Sequence, residues 1–138
     1  QKVKQALDYM QLHDLEDRYL NQLSGGQRQR AFIAMIIAQD TQYILLDEPL
    51  NNLDVKHSVD IMKRLRRLVD ELDKTVIIVM HDINFASCYS DQIVALNNGR
   101  VVKKGSVKDI INEKVLESIY ETDFNIQDID QKKICLYY

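Results

Sequence analysis

The sequence predicts an α/β fold with parallel core strands. Residues 43–46 and 75–80 are short apolar runs without polar–apolar alternation, which is typical of parallel strands buried on both faces. Between them, residues 55–72 have helical periodicity, and a strand–helix–strand order predicts a right-handed crossover between parallel neighbours. Residues 97–99, Asn-Asn-Gly, are a strong signal for an antiparallel hairpin. The predicted buried stripe of the long helix consists of Val55, Val59, Met62, Leu65, Val69 and Leu72.

The remaining elements are predicted from apolar spacing, capping residues and strand composition. Helices are predicted at residues 2–12, 15–19, 27–39, 83–89 and 113–120. A further small helix begins at Gly105-Ser106, where Ser106 and Asp109 resemble a capping box. Strands are predicted at residues 92–96 and 100–104, and at residues 124–129 and 133–138.

Length, charge and cysteine content exclude several classes of protein. The 138 residues suffice for a hydrophobic core, and the net charge of −3 offers no basic surface for nucleic acid. No apolar run approaches the roughly 18 residues that span a bilayer. Cys88 and Cys135 lack metal-ligand spacing, which favours buried free thiols of a cytosolic protein over a disulfide. The chain begins with Gln1, which fits an excised or trimmed piece of a longer protein.

Residues 23–30, Leu-Ser-Gly-Gly-Gln-Arg-Gln-Arg, form a glycine-rich turn that opens into a predicted helix. Ser24 is a good N-cap, and Gly25 and Gly26 allow the backbone to approach a ligand closely. A helix N-terminus carries unpaired N–H groups and a partial positive charge, so it attracts phosphate. A capped helix without a ligand is the ordinary interpretation of Ser-Gly-Gly alone. With Leu23 before it and residues 27–30 after it, the stretch resembles a known family motif, and that resemblance favours phosphate binding.

Polar residues also follow both predicted parallel strands. Asp47 and Glu48 come directly after the first strand, at the edge where open α/β sheets bind ligands. Adjacent carboxylates there are costly unless they are solvated, paired or bound to a metal. An acidic surface turn is the alternative, but Pro49 and the Leu-Asn-Asn-Leu-Asp of residues 50–54 argue against it. His81 follows the second strand, where a loop residue or a helix cap is the plainer interpretation.

These stretches resemble the ATPases of the ABC family, from the first residues to about Lys104. Residues 23–30 are similar to the signature motif and residues 43–49 to the Walker B motif. Residues 50–54 are similar to the D-loop, although two asparagines replace the more usual Ser/Thr-containing version. His81 resembles the family's switch histidine. Nothing in the chain matches Gly-x-x-x-x-Gly-Lys-Ser/Thr, the loop that cradles nucleotide phosphates.

The resemblance implies a partial P-loop NTPase fold of the ABC ATPase type, with parallel core strands, C-terminal β-hairpins and short helices, lacking the Walker A half. Residues 1–23 are expected to close the helical subdomain. Residues 24–104 are expected to form the catalytic-core half, with the signature, Walker B motif, D-loop and switch histidine. Residues 105–138 are expected to form the C-terminal helices and hairpin.

The same resemblance implies a role for each motif residue. Asp47 holds Mg²⁺, Glu48 orients and polarises the attacking water, and His81 contacts the γ-phosphate. The residues assigned to nucleotide binding are Ser24, Gly25, Gly26, Gln27 and Asp54. The signature residues among them are expected to reach ATP held by a partner subunit. Because no P-loop is present, we expect these 138 residues alone to bind ATP and Mg²⁺ weakly or not at all, and not to hydrolyse ATP.

The resemblance further implies a homodimer of ATPase subunits that binds integral-membrane permease subunits, peripherally, at the cytoplasmic face of the membrane. Contact with a solute-binding protein would be indirect, and no nucleic acid is involved. Similarity to iron(III)-siderophore importers rests on residues 51–54, 57–58 and 81–91, none of which would touch cargo. An SMC-type ATPase, an ABC-F translation factor and a non-catalytic interaction module are the alternatives. A sheet built for a larger domain also predicts self-association, including strand exchange.

Overall fold

Two parallel strands organise the first part of the chain in the computed structural model, which describes residues 1–137. β1 (Tyr43–Asp47) pairs with β2 (Thr75–Val79), from Tyr43 opposite Thr75 to Asp47 opposite Val79. α3 (Val55–Leu72) connects the two strands, so the predicted strand–helix–strand unit is confirmed. Because the strands are parallel, the residues that follow them lie at the same edge of the sheet.

Two further helices precede the sheet, α1 (Lys2–Met10) and α2 (Gly25–Ala38). α1 ends where Gln11 adopts a left-handed backbone conformation, with φ 50°. The chain then passes through short 3-10 helices at His13–Leu15 and Leu20–Gln22. The helix predicted at residues 15–19 is therefore wrong. Five residues close too few hydrogen bonds to offset the cost of starting an α-helix.

The sheet is covered on one face only within the described residues. Ile44 is buried and lines a small cavity together with Ile37 of α2 and Leu68 of α3. Tyr43 and Leu45, whose side chains point to the opposite face, are 62% and 68% exposed. The prediction that both faces are buried is therefore wrong for these residues. α2 and α3 both cover the face that carries Ile44, and the face that carries Tyr43 and Leu45 is left exposed.

α3 is buried along a different stripe from the predicted one. Its buried residues are Ser58, Ile61, Met62, Arg64, Leu65 and Leu68. Met62 and Leu65 are buried as expected, whereas Val55 is exposed and Arg64, which lies outside the predicted stripe, is buried. Hydrophobicity alone sets the predicted stripe, so it misses an arginine that is buried among hydrogen-bond acceptors.

From Asp82 onward the chain forms a second unit around two antiparallel hairpins. Its elements are α4 (Ile83–Tyr89), β3 (Gln92–Asn97), β4 (Arg100–Ser106), α5 (Val107–Ile110), α6 (Glu113–Tyr120), β5 (Asn125–Ile129) and β6 (Lys132–Leu136). Both hairpins and the capping box of Ser106 and Asp109 are confirmed. The buried core of this unit consists of Ile83, Ile110, Ile111, Leu116, Phe124 and Cys135. Residue 138, the end of the last predicted strand, lies outside the described residues.

Both cysteines are free thiols, as predicted. Cys135 is buried in the second core, and this burial raises the pKa of its thiol, whereas Cys88 is half-buried. No helix within residues 1–137 combines the length and apolar character that a bilayer crossing requires.

The first unit comprises Gln1–His81, and the second unit begins at Asp82. This boundary coincides with neither of the borders predicted after residues 23 and 104, which separate motifs rather than packed units. The subdivision by motif content stays a prediction.

Candidate functional site

The turn at residues 24–27, named the signature turn below, is held by a capping box at the start of α2. Ser24 Oγ accepts a hydrogen bond from the backbone N–H of Gln27 at 3.3 Å, and Gln27 Oε1 accepts one from the N–H of Ser24 at 2.9 Å. The N–H groups of Gly25 and Gly26 make no hydrogen bond within residues 1–137. The helix N-terminus therefore keeps two donors that could bind an anion.

At the carboxyl edge of the sheet, the structure brings together two of the predicted catalytic residues. His81 Nε2 lies 2.5 Å from Glu48 Oε1, although the two residues are 33 positions apart in sequence. The side-chain amide of Asn51 donates to the other carboxylate oxygen of Glu48. Asp47, Glu48 and His81 are named the acidic edge below. The imidazole of His81 and the side-chain amide of Asn51 together orient the Glu48 carboxylate.

The backbone of Glu48 is also held firmly at this edge. Glu48 has a φ of 46°, in the left-handed region that residues other than glycine seldom adopt. Its N–H donates to the carbonyl of Val79 at 3.0 Å, and its carbonyl accepts from the N–H of Asn51 at 3.2 Å. These two hydrogen bonds hold the backbone on both sides of this residue, and residues in sparsely populated backbone conformations concentrate at functional sites.

Asp47 is exposed, and its carboxylate makes no hydrogen bond or ion pair within the described residues. Across residues 1–137 there is also no group of three or more His, Cys, Asp or Glu side chains that could hold a metal ion by themselves. Mg²⁺ is usually bound by one or two carboxylates together with substrate phosphates and water, rather than by an all-protein cage. One available carboxylate at the edge fits Mg²⁺ held in that way.

Asp54 and Gly26 meet through a residue to which no role could be given from the sequence, His57. Asp54 caps α3, and its Oδ1 accepts hydrogen bonds from the backbone N–H and from ring Nδ1 of His57, both at 2.8 Å. These bonds, the backbone one foremost, lower the pKa of Asp54. The ring of His57 lies against Gly26. The sequence does show that His57 lies three residues after Asp54, where it can bond the helix cap. It does not show that the ring contacts Gly26.

An arginine network ties α2 to α3 and to the end of α1. Arg30 of α2 lies 3.6 Å from Asp60 of α3. Arg64 donates to both carboxylate oxygens of Asp60 at 2.8 and 2.9 Å, to the carbonyl of Tyr9 at 3.0 Å and to Gln11 Oε1 at 2.7 Å. The hydrogen bonds from Arg64 lower the pKa of Asp60. This network fixes the helix that begins with the signature turn.

Comparisons with known proteins decide the family. A family model described as ABC transporter matches residues 1–51. The chain is 65% identical over 136 residues to the petrobactin import ATP-binding protein YclP of Bacillus subtilis (strain 168), which covers 99% of this chain and 54% of that protein. The chain belongs to the ATP-binding subunits of ABC transporters. It is close to the subunits that serve petrobactin and siderophore import.

A second relative is the iron(3+)-hydroxamate import ATP-binding protein FhuC of Bacillus subtilis (strain 168). It is 37% identical over 138 residues, and the match covers 99% of this chain and 51% of FhuC. This ABC subunit chain thus spans about half the length of both curated relatives.

Solved structures agree with this assignment. An inward-facing conformation of an ABC transporter described as metal-chelate type matches with a TM-score of 0.90 and 28% identity, covering 99% of this chain and 56% of that one. The ATP-binding cassette MJ0796, a dimer in a post-hydrolysis state bound to ADP and Pi, matches with a TM-score of 0.63 and 40% identity, covering 75% of this chain and 46% of that one. The mixed α/β fold is therefore that of an ABC cassette over half its length.

Proposed function

We propose that this chain carries the signature turn and the acidic edge of an ABC-type ATPase that powers import of an iron(III)-siderophore. The observation that carries the proposal is the 2.5 Å contact between Glu48 Oε1 and His81 Nε2, beside two parallel strands. In many active sites the base is oriented by a neighbouring group within hydrogen-bond reach, and this pair has that geometry.

The division of roles follows from which groups are already engaged. Glu48, oriented by His81 and Asn51, polarises the water that attacks the γ-phosphate of ATP. His81, whose side chain is 76% exposed, can contact that phosphate from its open side. Asp47 is the carboxylate available to Mg²⁺, which neutralises charge on the phosphate oxygens when bound.

The signature turn acts on a different nucleotide, held by a second ATPase subunit. The unpaired N–H groups of Gly25 and Gly26 and the helix N-terminus supply positive potential for its γ-phosphate, with Ser24 and Gln27 alongside. Asp54 belongs to this interface through the D-loop. The dimer of the cassette MJ0796 with ADP and Pi supports pairing of two subunits. ATP then stabilises the closed pair over the open one.

The proposed partners and cargo follow from the relatives. The transporter match supports binding to integral-membrane permease subunits. The protein would then act at the cytoplasmic face of the membrane, with indirect contact to a solute-binding protein. The names of the two relatives, petrobactin import and iron(3+)-hydroxamate import, support a siderophore as cargo. They also favour a transport ATPase over an SMC-type ATPase or an ABC-F translation factor.

The chain alone should neither bind ATP tightly nor hydrolyse it, because it contains no phosphate-cradling glycine loop. Calorimetry with Mg-ATP tests this, and micromolar affinity would contradict it. The exposed Tyr43, Leu45, Ile77 and Val79 should also make the chain self-associate. In light scattering, Leu45→Lys should lower the apparent mass. Val55→Lys, an equally exposed site on α3, serves as the control and should not lower it.

The catalytic proposal is tested in a chimera. The residues of YclP that precede the matched region are joined to this chain, because the 65% identity makes the two parts compatible. The chimera should hydrolyse ATP, and Glu48→Gln should abolish turnover and trap an ATP-bound dimer in size-exclusion chromatography. Glu16→Gln, at an exposed carboxylate away from the edge, should leave both unchanged.

Two results would overturn the proposal. A folded chimera that does not hydrolyse ATP would remove the ATPase assignment and favour a non-catalytic interaction module. Unchanged turnover after Glu48→Gln would remove Glu48 from its proposed role.

A further inference from the structure

The two glycines of the signature turn have different surroundings. A Cβ atom built on Gly26 would lie 2.7 Å from His57 Cδ2, 3.1 Å from Cγ and 3.2 Å from Nε2, whereas one built on Gly25 meets nothing within 4 Å. A distance of 2.7 Å is far inside van der Waals contact. Close packing with a specific ring, and not only room for a ligand, therefore requires glycine at position 26.

The ring of His57 is not free to swing away from Gly26. Its Nδ1 is bound to Asp54 Oδ1 at 2.8 Å, and the same oxygen accepts the backbone N–H of His57 at 2.8 Å. A carboxylate oxygen only accepts, so Nδ1 is the donor in this pair. The edge formed by Cδ2 and Nε2 is consequently the one directed at Gly26. A rotation large enough to relieve the crowding would weaken or break the hydrogen bond to Asp54.

Asp54 in turn lies at the end of the loop that begins at Glu48. Within this loop, Asn51 bonds Glu48 through its side chain and its backbone N–H, and the N–H of Leu53 donates to the carbonyl of Leu50 at 3.2 Å. The loop and the first turn of α3 are thus internally bonded. The ring of His57, in the first turn of α3, contacts the signature turn at Gly26.

We propose that His57 is a positioning residue that holds the signature turn in place through its ring, with Asp54 as its anchor. The proposal rests on the proposed function, because it assigns the turn's placement to a residue outside the signature. The ring sets where the N–H groups of Gly25 and Gly26 point. A small displacement of such donors from a developing charge is costly to catalysis.

The contact itself is tested by a double-mutant cycle in the 138-residue chain. Gly26→Ala should lower the melting temperature by roughly 3–10 °C, because the new methyl overlaps the anchored ring. In a His57→Ala background the same Gly26→Ala change should lower the melting temperature by less than about half as much, because the ring that the new methyl overlaps is gone. Gly25→Ala is the matched control and should leave the melting temperature unchanged. Additive losses would overturn the contact, whatever the activity of the chimera.

The positioning role is tested in the chimera. His57→Ala should lower kcat by about 10- to 100-fold and weaken ATP-driven dimerisation in the Glu48→Gln background, while ATP binding to the monomer is unchanged. His57→Asn keeps a side-chain N–H for Asp54 and should restore part of the dimerisation. His13→Ala is the matched control, because His13 is a similarly exposed histidine that pairs with Asp8 at another site.

The outcomes separate this inference from the proposed function. A parent chimera without ATPase activity overturns the proposed function, and with it the role of His57 in nucleotide chemistry. An active parent whose His57→Ala variant keeps its kcat and its dimer affinity overturns the positioning role alone. Equal weakening of monomer ATP binding and dimerisation would also overturn it, since that pattern indicates a general loss of structure.

Discussion

The signature turn and the acidic edge are held in place by different kinds of contact. In the signature turn, Ser24 and Gln27 bond each other across three positions of sequence, so one local capping box shapes the turn. At the acidic edge, Glu48 reaches His81 across 33 positions, and the contact depends on the pairing of β1 with β2. The turn should therefore survive a loss of packing that abolishes the edge.

The same difference extends to the surroundings of the two regions. The helix that begins at the signature turn is tied to α3 by Arg30 and Asp60, and the ring of His57 lies against Gly26. The strand that leads to the acidic edge has one buried face and one exposed apolar face within the described residues. Local opening should begin where apolar cover is least, which is the sheet.

The largest expected effect comes from removing the buried support of β1. Ile44→Ala should lower the free energy of unfolding by about 2–5 kcal/mol, because it leaves a cavity between β1 and the helices. Leu45→Ala, one residue further along the strand but exposed, should change it by less than about 0.5 kcal/mol. Urea denaturation measures both variants, and similar losses would show that both faces of β1 contribute to stability.

Spectra of the same variants sharpen the comparison. In Ile44→Ala, the ring resonances of His81 should shift towards those of a free histidine, because the pairing that brings Glu48 close is weakened. The amide resonance of Gln27 should keep its hydrogen-bonded position, because its partner Ser24 is local. Simultaneous loss of both signals would mean that the turn and the edge unfold as one unit.

An intermediate effect is expected from acid, through the network that fixes α2. Hydrogen bonds from Arg64 lower the pKa of Asp60 below its ordinary value of 3.8. A carboxylate with a lowered folded-state pKa adds stability above the unfolded-state value, and this stability is lost as pH falls through the folded-state value. The urea concentration at the unfolding midpoint should therefore decrease as the pH is lowered below about 4.

The matched variant is Asp60→Asn, whose midpoint should depend less on pH in that range. The remaining acid sensitivity belongs to other carboxylates with lowered pKa values, among them Asp40 and Asp70. An Asp60→Asn variant with the parent's full pH dependence would contradict a stabilising role for the Asp60–Arg64 pair.

The smallest effect is expected at the cap of the signature turn. Ser24→Ala removes the oxygen that accepts the Gln27 N–H and should cost about 1 kcal/mol of unfolding free energy. Ser24→Thr retains a capping oxygen and should cost less. Neither change should alter the resonances of His81. A shift at His81 in Ser24→Ala would show that the turn and the edge are coupled more strongly than their contacts indicate.

By itself the sequence determined most of the elements and several of their ends. The helices predicted at residues 55–72, 83–89 and 113–120 begin and end at those residues, because capping side chains act within one turn of the chain. The capping boxes of Ser24 and Ser106 are equally local. The resemblance of residues 23–30 and 43–49 to the signature and Walker B motifs also indicated the family from the sequence alone.

Only the tertiary structure decided which distant groups meet. The contact of Glu48 with His81, the ring of His57 on Gly26 and the burial of Arg64 each join residues from different elements. Hydrophobic periodicity does not record such pairs, because a buried polar group is stabilised by partners that packing brings from elsewhere in the chain. The exposure of one face of β1 was also not predicted, because an apolar strand has the same sequence pattern whether one face or both faces are covered.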